Sequence, residues 1–377
     1  MKDLLEIRNE IDQIDSQIVE LYEKRMKCTT EVAEYKIATG KKIFDKKREE
    51  IKLEKVRDLA SDAFNKQSVR ELFLQIMSMS RKRQYQLLTE RGLTEKIRFS
   101  CVDHLDYTGA RVVFQGVEGA YSEAAMKEFF GKEIDSFHVE TWRDAMEAIR
   151  ERRADYAVLP IENSSAGSVS ENYDLLVEYD NCCIVGEQII QIEHVLLGLP
   201  EAAIEDIQQI YSHPQALMQC SKILEEHREW EKISLKNTAV SAKKLKEDDD
   251  KTQAAIASRL TANLYGLEIL KENLSNNKNN CTRFIVVTGR HIYERKAEKI
   301  SICFEIPHES GSLYEMLSHF IFNGINMTKI ESRPIQGRNW EYRFFIDFEG
   351  NLNDGAVQNA LRGLEEETNT LKILGNY

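Results

Sequence analysis

"IVELYEKRMKCTTEVAEYK", residues 18–36, belongs to an apolar stripe that is interrupted by a charge. Alternating steps of three and four along the N-terminus give Leu4, Ile7, Ile11, Ile14, Ile18, Leu21, Arg25, Cys28, Val32 and Tyr35. This spacing predicts one helix from residue 4 to about 38, roughly 50 Å long at 1.5 Å per residue. Two shorter helices of the same chain cannot cover a stripe of that length, so burial against a partner helix, hence a homodimer, is expected. Arg25 reads either as a snorkelling or register-setting polar residue or as part of a site. Lys36 lies about 20° from Arg25 around the helix and about 16 Å along it, so both cations can converge on one ligand. Arg8 is about 25 Å further back and comes into reach only from an antiparallel partner.

Outward from this stretch, residues 1–90 contain no proline and a single glycine, Gly40, and predict helices near 4–38, 46–60 and 66–90. From "RVVFQG" at 111 the texture changes to short β-branched runs between helical stretches: "YAVLPIEN", "CCIVGEQII", "KISLKNT", "QAAIAS" and "TRFIVVTG". Strands alternating with helices imply an α/β domain with a largely parallel sheet over 111–290. Polar, weakly periodic residues 91–110 read as linker. From 299 the runs "KISICFEI", "SLYEMLSHFIFNG", "NMTKIESRPI", "EYRFFIDFEG", "AVQNALRGLEEE" and "LKILGNY" give a β-α-β-β-α-β, ferredoxin-like order to residue 377. A length of 377 residues agrees with three domains.

The formal charge of -12 argues against nucleic acid as the main partner. Seven cysteines without a CxxC pair argue against a disulfide framework or a zinc site, and place the chain in a reducing compartment. A charged N-terminus without an apolar core is no secretory signal, and no run approaches a membrane span, so a cytoplasmic protein is expected.

In the helical segment, Asp45 is placed to cap the second helix, with Arg48 and Glu49 in its first turn. Ser80 and Gln84, four apart, share a face of the third helix with Phe73 and Met77. Each alone is a cap or a surface polar residue; together they suggest a cation-rich pocket with few carboxylates, suited to a small dianion. The set Arg8, Arg25, Lys36, Asp45, Arg48, Glu49, Ser80 and Gln84 resembles the all-helical chorismate mutase family across the first 90 residues. The resemblance implies the pericyclic conversion of chorismate to prephenate with no metal and no cofactor. It requires a folded substrate conformer and positive potential at the breaking ether oxygen. By resemblance, Arg25, Arg48 and Arg8 of the partner subunit hold the two carboxylates. Lys36 and Gln84 then donate to the ether oxygen, and Glu49 orients the ring hydroxyl with Asp45 and Ser80 in support.

The middle segment repeats one device, a strand ending in small or hydroxyl residues that open a helix: "GVEGAYSEAA" (116–125), "PIENSSAGSV" (160–169), "SHPQAL" (212–217), "NTAVSA" (237–242) and "AIASRL" (255–260). Helix N-termini grouped around one cleft suit an anionic small molecule. Glu162 and Asn163 end an apolar strand, where α/β ligands gather. Thr282 and Arg283 open another, where a hydroxyl beside an arginine either caps and pairs or donates a proton to a leaving group. "PIENSSAGSV", "SHPQALMQC", "AAIASRLTANLYGL" and "NNCTRFIVV" resemble prephenate dehydratase over about 111–290. That implies two α/β lobes of periplasmic-binding-protein-like architecture and conversion of prephenate to phenylpyruvate with loss of water and carbon dioxide. The implied roles are Thr282 as acid for the departing hydroxyl, Glu162, Asn163, Ser164, Gln215 and Thr238 around the substrate, and Arg283 as a carboxylate partner. Val117 and Ala120 stand where the family usually has proline and a hydroxyl residue, and "SNNKNN" lacks an acidic residue often found there.

At the C-terminus, "ESGSLYEML" reads as a glycine turn opening a helix and "KIESRPI" as a strand closed by Pro334. The stretch resembles the regulatory ACT domain of prephenate dehydratases, through Gly311, Ser312, Leu313 and Tyr314 and through Glu331, Ser332, Arg333 and Pro334. The implied effector is L-phenylalanine, bound between paired domains. Two other readings stand beside this bifunctional one. One is a non-catalytic amino-acid-binding regulator. The other is a mutase fused to a prephenate dehydrogenase, which needs a GxGxxG after a strand, where "QGVEGAYS" supplies only GxxG.

Overall fold

A computed structural model describes residues 2–93 and 97–377. The N-terminal segment is three helices, α1 (Leu4–Thr39), α2 (Lys46–Arg57) and α3 (Ala63–Glu90). The middle segment runs β1 (Ser100–Val102), β2 (Arg111–Gln115), α4 (Tyr121–Phe130), β3 (Asp135–Val139), α5 (Trp142–Arg150), β4 (Tyr156–Asn163), β5 (Gly167–Ser168), α6 (Ser170–Glu178) and β6 (Cys183–Gln191). It continues with β7 (His194–Gly198), β8 (Gln209–Ser212), α7 (Pro214–Gln219), α8 (Ser221–Glu226), β9 (Glu231–Ser234), α9 (Thr238–Asp248), β10 (Gln253–Ser258), α10 (Arg259–Tyr265), β11 (Glu268–Lys271), β12 (Cys281–Thr288) and β13 (Ile292–Glu294). The last segment is β14 (Lys299–Glu305), α11 (Ser312–Phe322), β15 (Met327–Pro334), β16 (Tyr342–Glu349), α12 (Gly355–Glu367) and β17 (Thr370–Asn376).

These elements form two compact units: 1–97 with 302–372, and 98–301 with 373–377. The first and last segments therefore share one body, where the sequence suggested separate domains.

In the first unit, α1 ends where Gly40 adopts the left-handed conformation (φ 65°) and its N–H bonds back to the Lys36 carbonyl. Only Thr29 and Ala33 of α1 are buried, while Leu4, Ile7, Ile11, Ile14, Ile18 and Leu21 are all at least 40% exposed. The stripe is thus uncovered within the chain. Helix α2 buries Leu53 and Val56, and the Asp45 side chain accepts from the Arg48 N–H at 3.1 Å, as a cap should. The C-terminal half of α3 is enclosed on several sides, because α1 and α2 pack on one part of it and α11 and α12 on another. The last segment has the expected β-α-β-β-α-β order, with strands arranged β15-β16-β14-β17.

The second unit has two lobes. One sheet holds β6-β12-β4-β2-β3 with β5 on β4, and the other β11-β7-β10-β8-β9. Strands β2, β3 and β4 are mutually parallel, as are β8, β9 and β10. Strand β12 runs antiparallel to both β4 and β6, and β7 antiparallel to both β10 and β11, against the expectation of a largely parallel sheet. The reason is topological: the chain crosses between lobes through β6–β7 and returns through β11–β12. Each lobe has its own apolar core, one around Phe114, Met126, Val158 and Phe284, the other around Ile210, Leu224, Trp230 and Ile256.

Residues 91–110, expected as linker, are partly built into this unit. Strand β1 pairs in parallel with β13, and Leu105 and Ala110 are buried in the first lobe's core. Residues 94–96 of that segment lie outside the described residues. Among the described residues, no helix is long and apolar enough to cross a membrane.

Candidate active sites

Three helices build the first site. The Arg25 guanidinium, half-buried, donates to the Ser80 hydroxyl and, at 3.4 Å, to the Ile76 carbonyl. The Ser80 hydroxyl in turn donates to the Ile76 carbonyl at 2.8 Å, and Gln84 Nε2 donates to the Ser80 carbonyl at 3.2 Å. Gln84 Oε1 is buried with no hydrogen-bond partner among the described residues, a polar atom at the pocket wall. Lys36 Nζ donates to the Ile43 carbonyl at 2.5 Å, next to the Asp45 cap. Arg48 lines a shallow depression of about 320 Å³ with Asp45, Lys47 and Ile51. Glu49 accepts from Arg81 on α3. Seven of the eight residues singled out in sequence thus lie near one another, Arg25 with Ser80 and Gln84, and Lys36 with Asp45, Arg48 and Glu49. The eighth, Arg8, is exposed far along α1.

Two lobes build the second site. Because β12 is antiparallel to β4, its register sets Thr282 opposite Asn163 and Arg283 opposite Glu162. Asn163 Nδ2 donates to Thr282 Oγ1 at 2.9 Å and to the Cys281 carbonyl at 3.1 Å. Its Oδ1 accepts from the Ser165 and Ala166 N–H groups at 3.0 and 2.9 Å, an Asx turn that aims the side chain. Ser164 Oγ accepts the Cys281 N–H at 2.9 Å, which ties the β4 and β12 termini together. Thr282 and Asn163 are 8% and 9% exposed. Successive strand residues point to opposite faces, so Arg283 and Glu162 leave the other side of the sheet. There Arg283 donates to Glu162 at 2.8 Å and to Glu187 at 3.2 Å. The sequence expectation that Arg283 meets a substrate carboxylate thus encounters a guanidinium already held by two carboxylates of its own chain.

Facing these termini from the other lobe are three helix starts. Pro214 is the first residue of α7 with Gln215 behind it, Thr238 opens α9 on an Asn237 cap, and Ser258 caps α10. Strands β8, β9 and β10 are parallel, so all three starts share one sheet edge. Ser258 Oγ donates to the Gly119 carbonyl at 3.3 Å and Tyr121 Oη to the Glu193 carbonyl at 2.8 Å, which brings the two edges together. The loop before α4 has Ala120 at the cap position without a hydroxyl. Glu123 compensates by accepting the Gly119 N–H at 2.6 Å. "PIENSSAGSV" differs from the expected device, since it turns back as β5 along β4 before α6 begins at Ser170. A cavity of about 650 Å³ opens at the opposite end of β4 and β12, around Asp155, Thr288 and Arg290. None of the residues singled out in sequence lines it.

A third hollow, about 180 Å³, is lined by Gly311, Ser312, Leu313 and Tyr314 with Ile306, Tyr342 and Phe344. Gly311 sits at φ 85°, a conformation that favours glycine, and starts α11. Glu331, Ser332, Arg333 and Pro334 lie on β15 and do not line this hollow within one chain.

Residues 7–85 match the model of type II chorismate mutase, and residues 112–291 match that of prephenate dehydratase. The bifunctional chorismate mutase/prephenate dehydratase of Buchnera aphidicola subsp. Schizaphis graminum is 35% identical over all of this chain and 96% of its own. The chain belongs to the bifunctional chorismate mutase/prephenate dehydratase family. Among solved structures, the prephenate dehydratase of Arthrobacter aurescens, in complex with L-Phe, is 34% identical with TM-score 0.65, over 71% of this chain and 89% of that one. A protein described as GqqA, a novel type of quorum-quenching acylase, is 32% identical with TM-score 0.64, over 70% and 96%. The family settles both reactions: chorismate is rearranged to prephenate, which is dehydrated and decarboxylated to phenylpyruvate on the route to phenylalanine.

In the helical segment, burial lowers the pKa of Arg25 and of Lys36 below their ordinary values, opposed by Tyr22 and Glu49 at Arg25 and by Glu366, Glu49 and Asp45 at Lys36. Burial raises that of Glu49, opposed chiefly by Arg81. Sequence reading of the mutase missed two things. The pocket is not poor in carboxylates, since Glu366 faces Lys36 and Glu315 and Glu367 stand behind Glu49. It also missed Arg81, the neighbour of Ser80, which is buried at 2% exposure. The run "SRKRQ" carries the residue, but its partners lie in the last segment of the chain.

Proposed function

We propose that the helical pocket holds chorismate as a dianion between Arg25, Arg48 and Arg8 of the partner subunit. Lys36 and the second N–H of Gln84 meet the ether oxygen, Glu49 orients the ring hydroxyl, and Asp45 and Ser80 keep Arg48 and Arg25 in place. The convergence of Arg25, Ser80 and Gln84 from two helices supports this assignment. The reaction needs no group from the protein to change covalently; positioning and positive potential at the ether oxygen lower the barrier. The exposed α1 stripe, too long for its own chain, supports a homodimer that supplies Arg8.

For dehydration, Thr282 is the acid. Its oxygen accepts from Asn163, which directs the hydroxyl hydrogen toward the departing hydroxyl of prephenate. Loss of carbon dioxide then supplies the electron pair that aromatises the ring. Gln215 and Thr238 present helix N-termini to the anionic substrate from the facing lobe. Arg283 acts by holding Glu162 at the sheet edge. The C-terminal segment is an ACT domain in which the hollow at Gly311–Tyr314 takes L-phenylalanine, closed by Glu331–Pro334 of a paired domain, and the effector inhibits. The glycine-opened hollow and the ferredoxin-like strand order support that reading, as does the L-Phe bound by the Arthrobacter relative. Such a soluble biosynthetic enzyme belongs in the cytoplasm.

The test is a coupled assay on purified protein. Chorismate should give phenylpyruvate without nicotinamide or added metal, and L-phenylalanine should slow it. Prephenate accumulating without phenylpyruvate, or a rate indifferent to phenylalanine, would refute the corresponding part.

A further inference from the structure

Arg81 is the one long cation of α3 whose whole guanidinium edge is engaged beside the mutase pocket. Nη1 donates to Glu49 Oε2, Nε donates to Glu367 Oε1 at 2.8 Å, and Nη2 donates to Glu367 Oε2 at 3.2 Å and lies 3.6 Å from Glu315 Oε2. Its plane stacks on Phe44, 4.9 Å from the ring centroid. Glu367, itself 8% exposed, is steadied by His319 Nε2 at 3.3 Å. The His319 ring lies against Gly363, where a Cβ would come within 2.3 Å of it. The preceding residue, Glu366, accepts from the Phe44 N–H at 2.8 Å and from Tyr85 Oη at 3.1 Å. Two consecutive carboxylates of α12 therefore fix both Arg81 and the α1–α2 loop whose Ile43 carbonyl receives Lys36.

We propose that Arg81 is a positioning residue for Glu49 and that α11 and α12 set its place, so that the C-terminal segment completes the chorismate mutase pocket. This rests on the reading of Glu49 as the group that orients the substrate's ring hydroxyl. A fork that meets two carboxylates at once has no spare rotamer. While Glu367 holds one edge, Glu49 cannot swing, and a shift of α12 is transmitted to the pocket as a shift of Glu49. Glu49 is faced by Arg25 and Lys36 from α1, Arg81 from α3, Glu315 from α11 and Glu367 from α12. Of these, Arg81 does most to keep its carboxyl ionised.

The experiment uses the full-length enzyme, with its helical circular-dichroism signal and melting transition as the control for folding, because Arg81 and Glu367 lie in the unit of residues 1–97 with 302–372. Arg81→Met should lower mutase kcat about 10- to 100-fold with a smaller change in KM, the size expected of misplacing a positioned group. It should also move the acid limb of the mutase pH profile upward, because Glu49 loses the charge that favours its ionised form. Arg81→Lys should restore the limb but only part of kcat, since an ammonium keeps charge without the fork. Glu367→Gln, which keeps the side chain's size while removing the charge that holds Arg81, should reproduce a weaker form of the same kcat loss. If Arg81→Met fails to fold, judged by loss of the helical signal and of the wild-type melting transition, Glu367→Gln and Arg81→Lys decide. Mutase kcat within twofold of wild type and an unmoved acid limb in these variants, with Glu49→Gln inactive, would overturn the proposal alone. Full mutase activity in Glu49→Gln would overturn the reading of Glu49 and this inference with it.

Discussion

At Thr282 one hydroxyl accepts a hydrogen bond and keeps its own hydrogen to donate. Its oxygen accepts from Asn163 Nδ2, and among the described residues no acceptor takes its hydrogen. Asn163 is in turn fixed by the Asx turn it makes with Ser165 and Ala166. Thr282→Val keeps the shape and removes the proton; prephenate dehydration should fall by about 10²- to 10⁴-fold, while mutase activity measured on the same sample stays unchanged. Thr282→Ser should retain measurable dehydration. Glu367 gives a second residue-scale test. Burial works against its ionisation, but His319 and Arg81 outweigh it and hold the carboxyl down to about 2. A carboxylate depressed in the folded state stabilises above its unfolded value, near 4.3, and loses that contribution as pH falls through the folded one. The difference in melting temperature between wild type and Glu367→Gln should therefore be full at pH 6 and shrink steadily between about pH 4.5 and 2.5. A gap that stays constant over that range would speak against an ionised Glu367.

Among elements, α1 shows how far a local pattern reaches. Its bounds were legible to within a residue, 4–38 expected and 4–39 found, because the apolar repeat and the Gly40 stop are both written in consecutive residues. The proximity of Arg25 to Ser80 and of Lys36 to the Asp45 cap was signalled only in part, since Arg25 broke a regular stripe and Lys36 recurred on the same side. Arg81 was not legible: it lies on a helix face that is polar in sequence, and its partners Glu315 and Glu367 come from α11 and α12, far along the chain. The strand Ser100–Val102 was hidden for the same reason, its partner Ile292–Glu294 being nearly two hundred positions away. The stripe itself yields a prediction. Ile14 is 54% exposed within the chain. Ile14→Glu should convert the dimer to monomer in sedimentation and abolish mutase turnover by withdrawing the partner's Arg8. Dehydration of prephenate should continue, because both lobes of that site come from one chain. An unchanged sedimentation coefficient would count against burial of the stripe by a second copy.

For the molecule as a whole, the order of the three segments could be read from sequence because each has its own periodicity: 3.6 without breaks, then strands alternating with helices, then β-α-β-β-α-β. Their grouping could not. Residues 1–97 and 302–372 form one unit, with the two-lobed dehydratase segment between them in the chain. Among the contacts that join them are polar ones, Arg81 with Glu367, Lys82 with Ser318 and Thr89 with Asn359, and no hydrophobic repeat announces such pairs. The split of Thr282 and Arg283 between two faces was likewise set by strand register with β4, which the run "CTRF" alone does not contain.

The separation of Arg81 from Glu367 by 286 positions also has a temporal meaning. A ribosome adding roughly 5–20 residues per second needs on the order of 15–60 s to pass from one to the other. Through that interval the nascent chain can fold α1, α2, α3 and the whole dehydratase segment, while Arg81 waits as a cation without Glu367. Both units wait for the end of synthesis, since Glu367 belongs to the first and residues 373–377 to the second.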